Sequence, residues 1–126
     1  GIKWHNDALR FTGASGDGVG AGAMNTTIIV ATQIDDNQTG NFAAKICADY
    51  LVLDNGVYYG DWYLPSKYEL NLLYQQKNVV GGFVDEHYWS SSDNSPNTAW
   101  HQIFSFGGQL GSSKNAAYRV RAIRAF

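Results

Sequence analysis

The spacing of apolar residues changes period at Gly81, and that change restricts the chain to folds that build helices first and a sheet afterwards. Before it, Ser66 and Glu69 form an S-x-x-E capping box, and Leu70, Leu73 and Tyr74 follow at helical spacing. Beyond it, "HYWSSS", "TAWHQIFSF" and "AAYRVRAI" alternate with period two and read as short strands. They are separated by "DNSPN", by a Gly107-Gly108 turn and by a further turn near "GSSKN". In the second strand Trp100, Gln102, Phe104 and Phe106 share a face opposite Ala99, His101, Ile103 and Ser105.

Two less strongly marked helices precede the capped one. Residues 42–51 place Ala43, Ile46, Cys47, Tyr50 and Leu51 on one face. Further upstream, Asn25 is positioned to cap a helix starting at Thr26, although the β-branched run that follows also suits a strand. The glycine-rich stretch "GASGDGVGAG" before it reads as a loop or a series of turns. The expected fold class is therefore α+β, with N-terminal helices followed by a mainly antiparallel sheet.

At 126 residues the chain suits a single domain, 1–126, burying about two thirds of the surface its unfolded form exposes. Cys47 is the only cysteine, so neither an internal disulfide nor a thiolate zinc site is available, and its apolar-periodic surroundings point to a small buried residue. No apolar stretch approaches the roughly 20 residues of a membrane helix, so no membrane insertion is expected. The start, "GIKWHNDALR", lacks the shape of a signal peptide, which fits a soluble domain cut from a longer secreted chain. Four Trp, eight Tyr and six Phe beside 14 Gly and 2 Pro suit a turn-rich domain with aromatic strands.

Several motifs that carry chemistry elsewhere fail here on context. "GVGAGA" matches a dinucleotide-binding pattern, but no apolar strand leads into it. "DDNQTG" resembles the first half of a calcium loop, with Asp35, Asn37, Thr39 and Gly40 in order, yet Ile46 stands where the closing glutamate belongs. His5, His87 and His101 are scattered, so no metal site is expected. Ser90, Ser91 and Ser92 lack a nucleophile elbow and suit backbone bonding in a strand. The acidic pairs Asp85-Glu86 and Asp35-Asp36 read as solvated loop residues. No catalytic constellation emerges, and neither an enzyme nor a resident cofactor is expected.

Charge is the remaining signal. The net charge of −2 conceals an asymmetry: residues 1–93 carry five basic and eleven acidic side chains, whereas 94–126 carry Lys114, Arg119, Arg121 and Arg124 and no acid. An anionic partner would meet the C-terminal third, and nothing suggests a general nucleic-acid binder. On a strand, Arg119, Arg121 and Ile123 project to one side and Tyr118, Val120, Ala122 and Arg124 to the other. Arg119 and Arg121 thus make a pair able to hold carboxylate or sulfate through planar forks, with Arg124 apart from them. The alternative is internal, with an arginine pairing to an acid such as Asp61 or covering apolar surface with its stem.

In combination, "GDWYLPSKYELNLLY", "YWSSS", "AWHQIFSFGGQ" and "YRVRAIRAF" resemble the DUF1566 domain family, and the resemblance extends over nearly the whole chain. It implies a C-type-lectin-like α+β fold, found on secreted or surface proteins of bacteria. The family includes C-terminal domains of collagen-like adhesins, which implies a homotrimer on a collagen-like stalk that binds sulfated glycosaminoglycans. Asp61, Trp62, Leu64, Pro65, Ser66, Glu69 and Leu70 would then build the lead-in to the capped helix, with Trp89 and Trp100 in the core. The expected ligand-binding set is Lys114, Arg119 and Arg121, with Arg124 on the opposite face and Lys67 and Lys77 at the rim. A structural module that trimerises and nucleates the stalk is the alternative. The sequence lacks the tripeptides of calcium-dependent sugar-binding lectins, so sugar binding through calcium is not expected.

Overall fold

A computed structural model of the chain describes residues 1–125. Four helices, α1 (Ala21–Ile34), α2 (Ala43–Ala48), α3 (Lys67–Gln75) and α4 (Lys77–Val80), precede the main sheet. That sheet is antiparallel, with order β3 (His87–Asp93), β4 (Thr98–Ile103), β5 (Gln109–Ser113). A separate hairpin, β1 (Val52–Asp54) with β2 (Val57–Tyr59), lies between α2 and α3. The architecture is α+β, as the change of period implied.

The capping box at Ser66 is present in full: Glu69 N–H donates to Ser66 Oγ at 3.2 Å and Ser66 N–H to Glu69 Oε1 at 3.1 Å. α1 starts five residues before the expected position, at Ala21. Its N-cap, Gly20, has φ 86° and no side-chain cap, so other groups must satisfy the first amides. The Glu69 carboxylate does so, accepting from Gly20 N–H at 3.1 Å and Gly22 N–H at 2.9 Å. Asn25 does not cap the helix. Its amide donates to Gly16 C=O and its Oδ1 accepts from Gly16 N–H, which pins the glycine loop against α1.

α2 is shorter than residues 42–51 and buries Ala43, Ala44 and Cys47, leaving Ile46, Tyr50 and Leu51 exposed. The β1–β2 hairpin lies outside the expectations from periodicity. Its turn, Asn55-Gly56, has φ 50° and 77°, the left-handed pair that a two-residue hairpin requires.

The third strand of the sheet also differs from expectation. It is "QLGSS" rather than "AAYRVRAI", and β4 ends at Ile103 instead of continuing to Phe106. Gly111 in β5 faces the Asn94 amide, where a side chain would crowd it, so the strand pairs through its backbone despite weak alternation. Residues 116–123 form no ladder because their bridges go to three different places. Tyr118 pairs with Ile2, Arg119 with Tyr88 and Ile123 with Tyr63. Period-two alternation survives in this segment: Tyr118, Val120 and Ala122 pack against the main core, which contains Trp4, Ile29, Phe42, Leu64 and Trp89.

His101 of β4 lies within that assembly, only 3% exposed, with its ring 5.0 Å from His87 and 4.8 Å from Tyr118. Neither ring nitrogen has a partner at hydrogen-bond geometry. Burial lowers its pKa, the neighbouring His87 lowers it further, and the Leu110 carbonyl offsets only part of this. A depressed histidine pKa means that the unfolded chain takes up the proton first as pH falls. Stability should therefore be full above about pH 6.5 and decline below it, towards the lower folded-state pKa. Urea unfolding of His101→Phe across pH 4.5–8 (roughly the histidine range) should show a flatter acid limb than the parent protein.

Candidate basic surface

The six basic residues expected at a binding surface occupy four different environments. Lys114 is fully buried. Its Nζ lies 2.8 Å from Asp93 Oδ1, donates to Arg10 C=O at 2.8 Å and sits 4.5 Å from the Trp4 ring centre. Asp93 accepts three further bonds, from Thr12 N–H and Oγ1–H and from Asn94 N–H. Burial pulls the Lys114 pKa down while the bond and the charge of Asp93 pull it back up. The expected surface lysine is thus a structural ammonium joining the N-terminal segment to β3, and a ligand at the surface has no access to it.

Lys67, the first residue of α3, places its Nζ 3.7 Å over the half-buried Trp100 ring, away from the C-terminal arginines. Arg124 donates from Nε to Gly60 C=O at 2.7 Å and lies over Tyr59, beside the hairpin. Arg119 and Arg121 line a cleft whose walls do not include it. No ion pair joins any of these arginines to Asp61 among the described residues.

Arg119, Arg121 and Lys77 do come together along one surface. Arg119 is exposed, and its backbone is fixed by bonds to His87 C=O and from Trp89 N–H. Arg121 is half-buried, donates from Nη1 to Gly81 C=O at 3.0 Å and lies 4.7 Å from the Phe83 ring, which leaves part of its fork available. The two line a cleft of about 350 Å³ together with Gly82. Gly82 also lines a neighbouring cleft of about 460 Å³ with Lys77, whose Nζ donates to Phe104 C=O and lies 3.7 Å from Asp85. On its other side Arg121 faces a third cleft, about 400 Å³, with Tyr50 and Trp62.

Cys47 and the serine run are committed to the interior of the fold. Burial pushes the Cys47 thiol up to about 12, so thiolate chemistry is suppressed at neutral pH. Ser90 Oγ donates to Trp100 C=O, Ser92 Oγ to Gly16 C=O, and Ser91 N–H binds Pro65 C=O, so the serine run ties β3 to its neighbours. Among the described residues, no group of three or more His, Cys, Asp or Glu is placed to hold a metal ion. No helix there is long and apolar enough to cross a membrane. Sequence reasoning did not assign Tyr50 or Trp62 to a surface cleft, because aromatic residues in a helix-sheet protein first suggest core. Comparison with protein-family models and with curated proteins finds no match to the chain.

Replacing Lys114 with Met keeps the volume but leaves Asp93 buried without its cation, so Lys114→Met should cost about 3–5 kcal/mol in urea unfolding. Lys67→Met, which loses a cation over a partly exposed ring, should cost about 0.5–1 kcal/mol.

Proposed function

We propose that this domain is a DUF1566-type, C-type-lectin-like adhesin module, secreted or displayed on a bacterial surface, that binds sulfated glycosaminoglycans without catalysis. Arg119 and Arg121 form the anion platform and Lys77 extends it. The observation that carries this reading is the run of adjoining clefts joined at Gly82 and lined by all three cations. Guanidinium groups suit sulfate and carboxylate because two parallel N–H donors match two oxygens. Nearby Asp85 and Glu86 moderate the local charge. The platform is therefore modest, and avidity from several copies on one long polyanion compensates.

Heparin-type chains should bind with a steep dependence on salt. Arg119→Ala combined with Arg121→Ala should weaken that binding by about tenfold or more, in a protein whose circular dichroism is unchanged. Titration calorimetry at two salt concentrations checks both points. Binding unaffected by either change defeats the assignment.

Exposed apolar residues on and beside the hairpin support the second reading, a module that self-associates under a stalk. Leu51, Leu53, Val57 and Tyr58 are 51–64% exposed, and the ladder sets Leu53 directly opposite Tyr58, which gives a contact surface its apolar centre. Sedimentation at micromolar concentration should give a trimer, and Leu53→Asp should dissociate it. A parent protein that sediments as a monomer removes this reading while leaving glycan binding to its own test.

A further inference from the structure

Trp62 separates two clefts of unlike charge. On one side, Asp61, Trp62 and Tyr63 face Thr27, Val30 and Ala31 across about 500 Å³. On the other lies the cleft of about 400 Å³ that holds Tyr50 and Arg121. The indole is held from two directions: its N–H donates to Tyr59 C=O at 2.8 Å, and Tyr50 meets it edge-on at 5.1 Å. With its only polar hydrogen committed, the half-exposed ring has its face to offer. Asp61 is exposed, has φ 61° and makes no side-chain hydrogen bond or ion pair among the described residues. An aspartate tolerates that left-handed backbone better than most side chains, and the turn brings a carboxylate with open acceptor sites beside an aromatic face.

A simple polyanion site does not account for this arrangement, because an unpaired carboxylate beside it repels the ligand. An apolar ligand would leave both Asp61 and Arg121 unused. A carbohydrate uses all three groups: the C–H face of a pyranose stacks on an aromatic ring, adjacent hydroxyls donate to a carboxylate, and an acidic substituent meets a guanidinium. We propose that an acidic saccharide lies across Trp62, with adjacent free hydroxyls donating to Asp61 in the first cleft and its uronate meeting Arg121, beside Tyr50, in the second. The proposal rests on the glycan reading above and narrows it from charge to sugar chemistry. Asp61 selects between ligands, because it rejects bare polyanions and accepts hydroxyl donors.

The test depends on the sign of one effect. Asp61→Asn removes a negative charge, so binding governed by charge alone becomes tighter. A carboxylate that accepts sugar hydroxyls predicts weaker binding instead. Two probes are titrated calorimetrically at one salt concentration: a hexasaccharide alternating glucuronate with singly sulfated N-acetylhexosamine, and inorganic polyphosphate. Asp61→Asn should weaken the saccharide by about tenfold while polyphosphate binds as tightly as before or more tightly. Trp62→Phe, which retains a ring face, should weaken the saccharide less than Trp62→Ala, with folding of each followed by circular dichroism. Unchanged or tighter saccharide binding by Asp61→Asn overturns the subsite, as does a parent protein that binds polyphosphate but not the saccharide. Loss of the two arginines should weaken both probes. If it weakens neither, the anion platform and the Arg121 contact are both wrong, and the Asp61→Asn result decides only the Trp62–Asp61 part of the saccharide contact.

Discussion

The carboxylate of Glu69 organises the first half of this domain. One oxygen accepts from Gly22 N–H and Ser66 N–H, and the other from Gly20 N–H and the Tyr63 hydroxyl. One buried side chain thereby closes the start of α3, supplies acceptors for the uncapped start of α1 and fixes the extended segment between Asp61 and Ser66. Negative charge at two helix N-termini is favourable through the helix dipoles as well as through direct bonds. Burial, the charge of Glu69 and the bond to it together push the Tyr63 hydroxyl up to about 12, so it remains a donor. Gly22 has to be glycine for the same reason: a side chain there would run into that carboxylate.

Much of this arrangement follows from local rules, which explains which parts were legible in the sequence. The capping box is a four-residue motif whose two bonds are made within the motif, and α3 forms where it predicts. Alternation in "HYWSSS" and "TAWHQI" locates β3 and β4, although β3 is buried on both faces and only β4 leaves alternate positions, Thr98 and Trp100, partly open. β5 was hidden because "QLGSS" contributes backbone and little else to the sheet. Residues 116–123 misled in the opposite direction: their alternation packs the partly buried Tyr118, Val120 and Ala122 against the core, but no single neighbour runs alongside to make a strand. Alternation reports one buried face and does not identify what the backbone pairs with. The start of α1 depended on Glu69, almost fifty residues away, and no local signal marks it.

The basic residues divide along the same line. Backbone parity separated Arg119 and Arg121 from Arg124; Arg119 and Arg121 line a shared cleft, and Arg124 lies over Tyr59. Parity could not show that Lys114 is paired with Asp93 inside the protein, since a lone lysine in a polar turn has the same local sequence whether it faces water or a carboxylate. Nor could it show that Gly82 joins Lys77 to the arginine pair. The surface that carries Arg119, Arg121 and Lys77 is smaller in charge than composition implied, and the cleft on the other side of Arg121 is lined by Tyr50 and Trp62.

The stitching of residues 116–123 also bears on how the chain reaches this state. Ile2 pairs with Tyr118, the Trp4 indole donates to Ser90 C=O, and Lys114 donates to Arg10 C=O, while Lys3, Asn6 and Arg10 bond to Ala43, Gln33 and Asp36, so the first dozen residues are anchored both by the last third and by α1 and the segment after it. Closing such long loops costs chain entropy before any contact repays it, and domains dominated by distant contacts fold slowly for their size. A nascent chain can assemble α3 and its cap early, but Trp4 has no settled environment until β3 and the Lys114 turn have been made. The contacts of Trp4 with Ser90 and Lys114 therefore form only once the last third of the domain is in place, and the same segment then pairs Ile2 with Tyr118 beside Arg119.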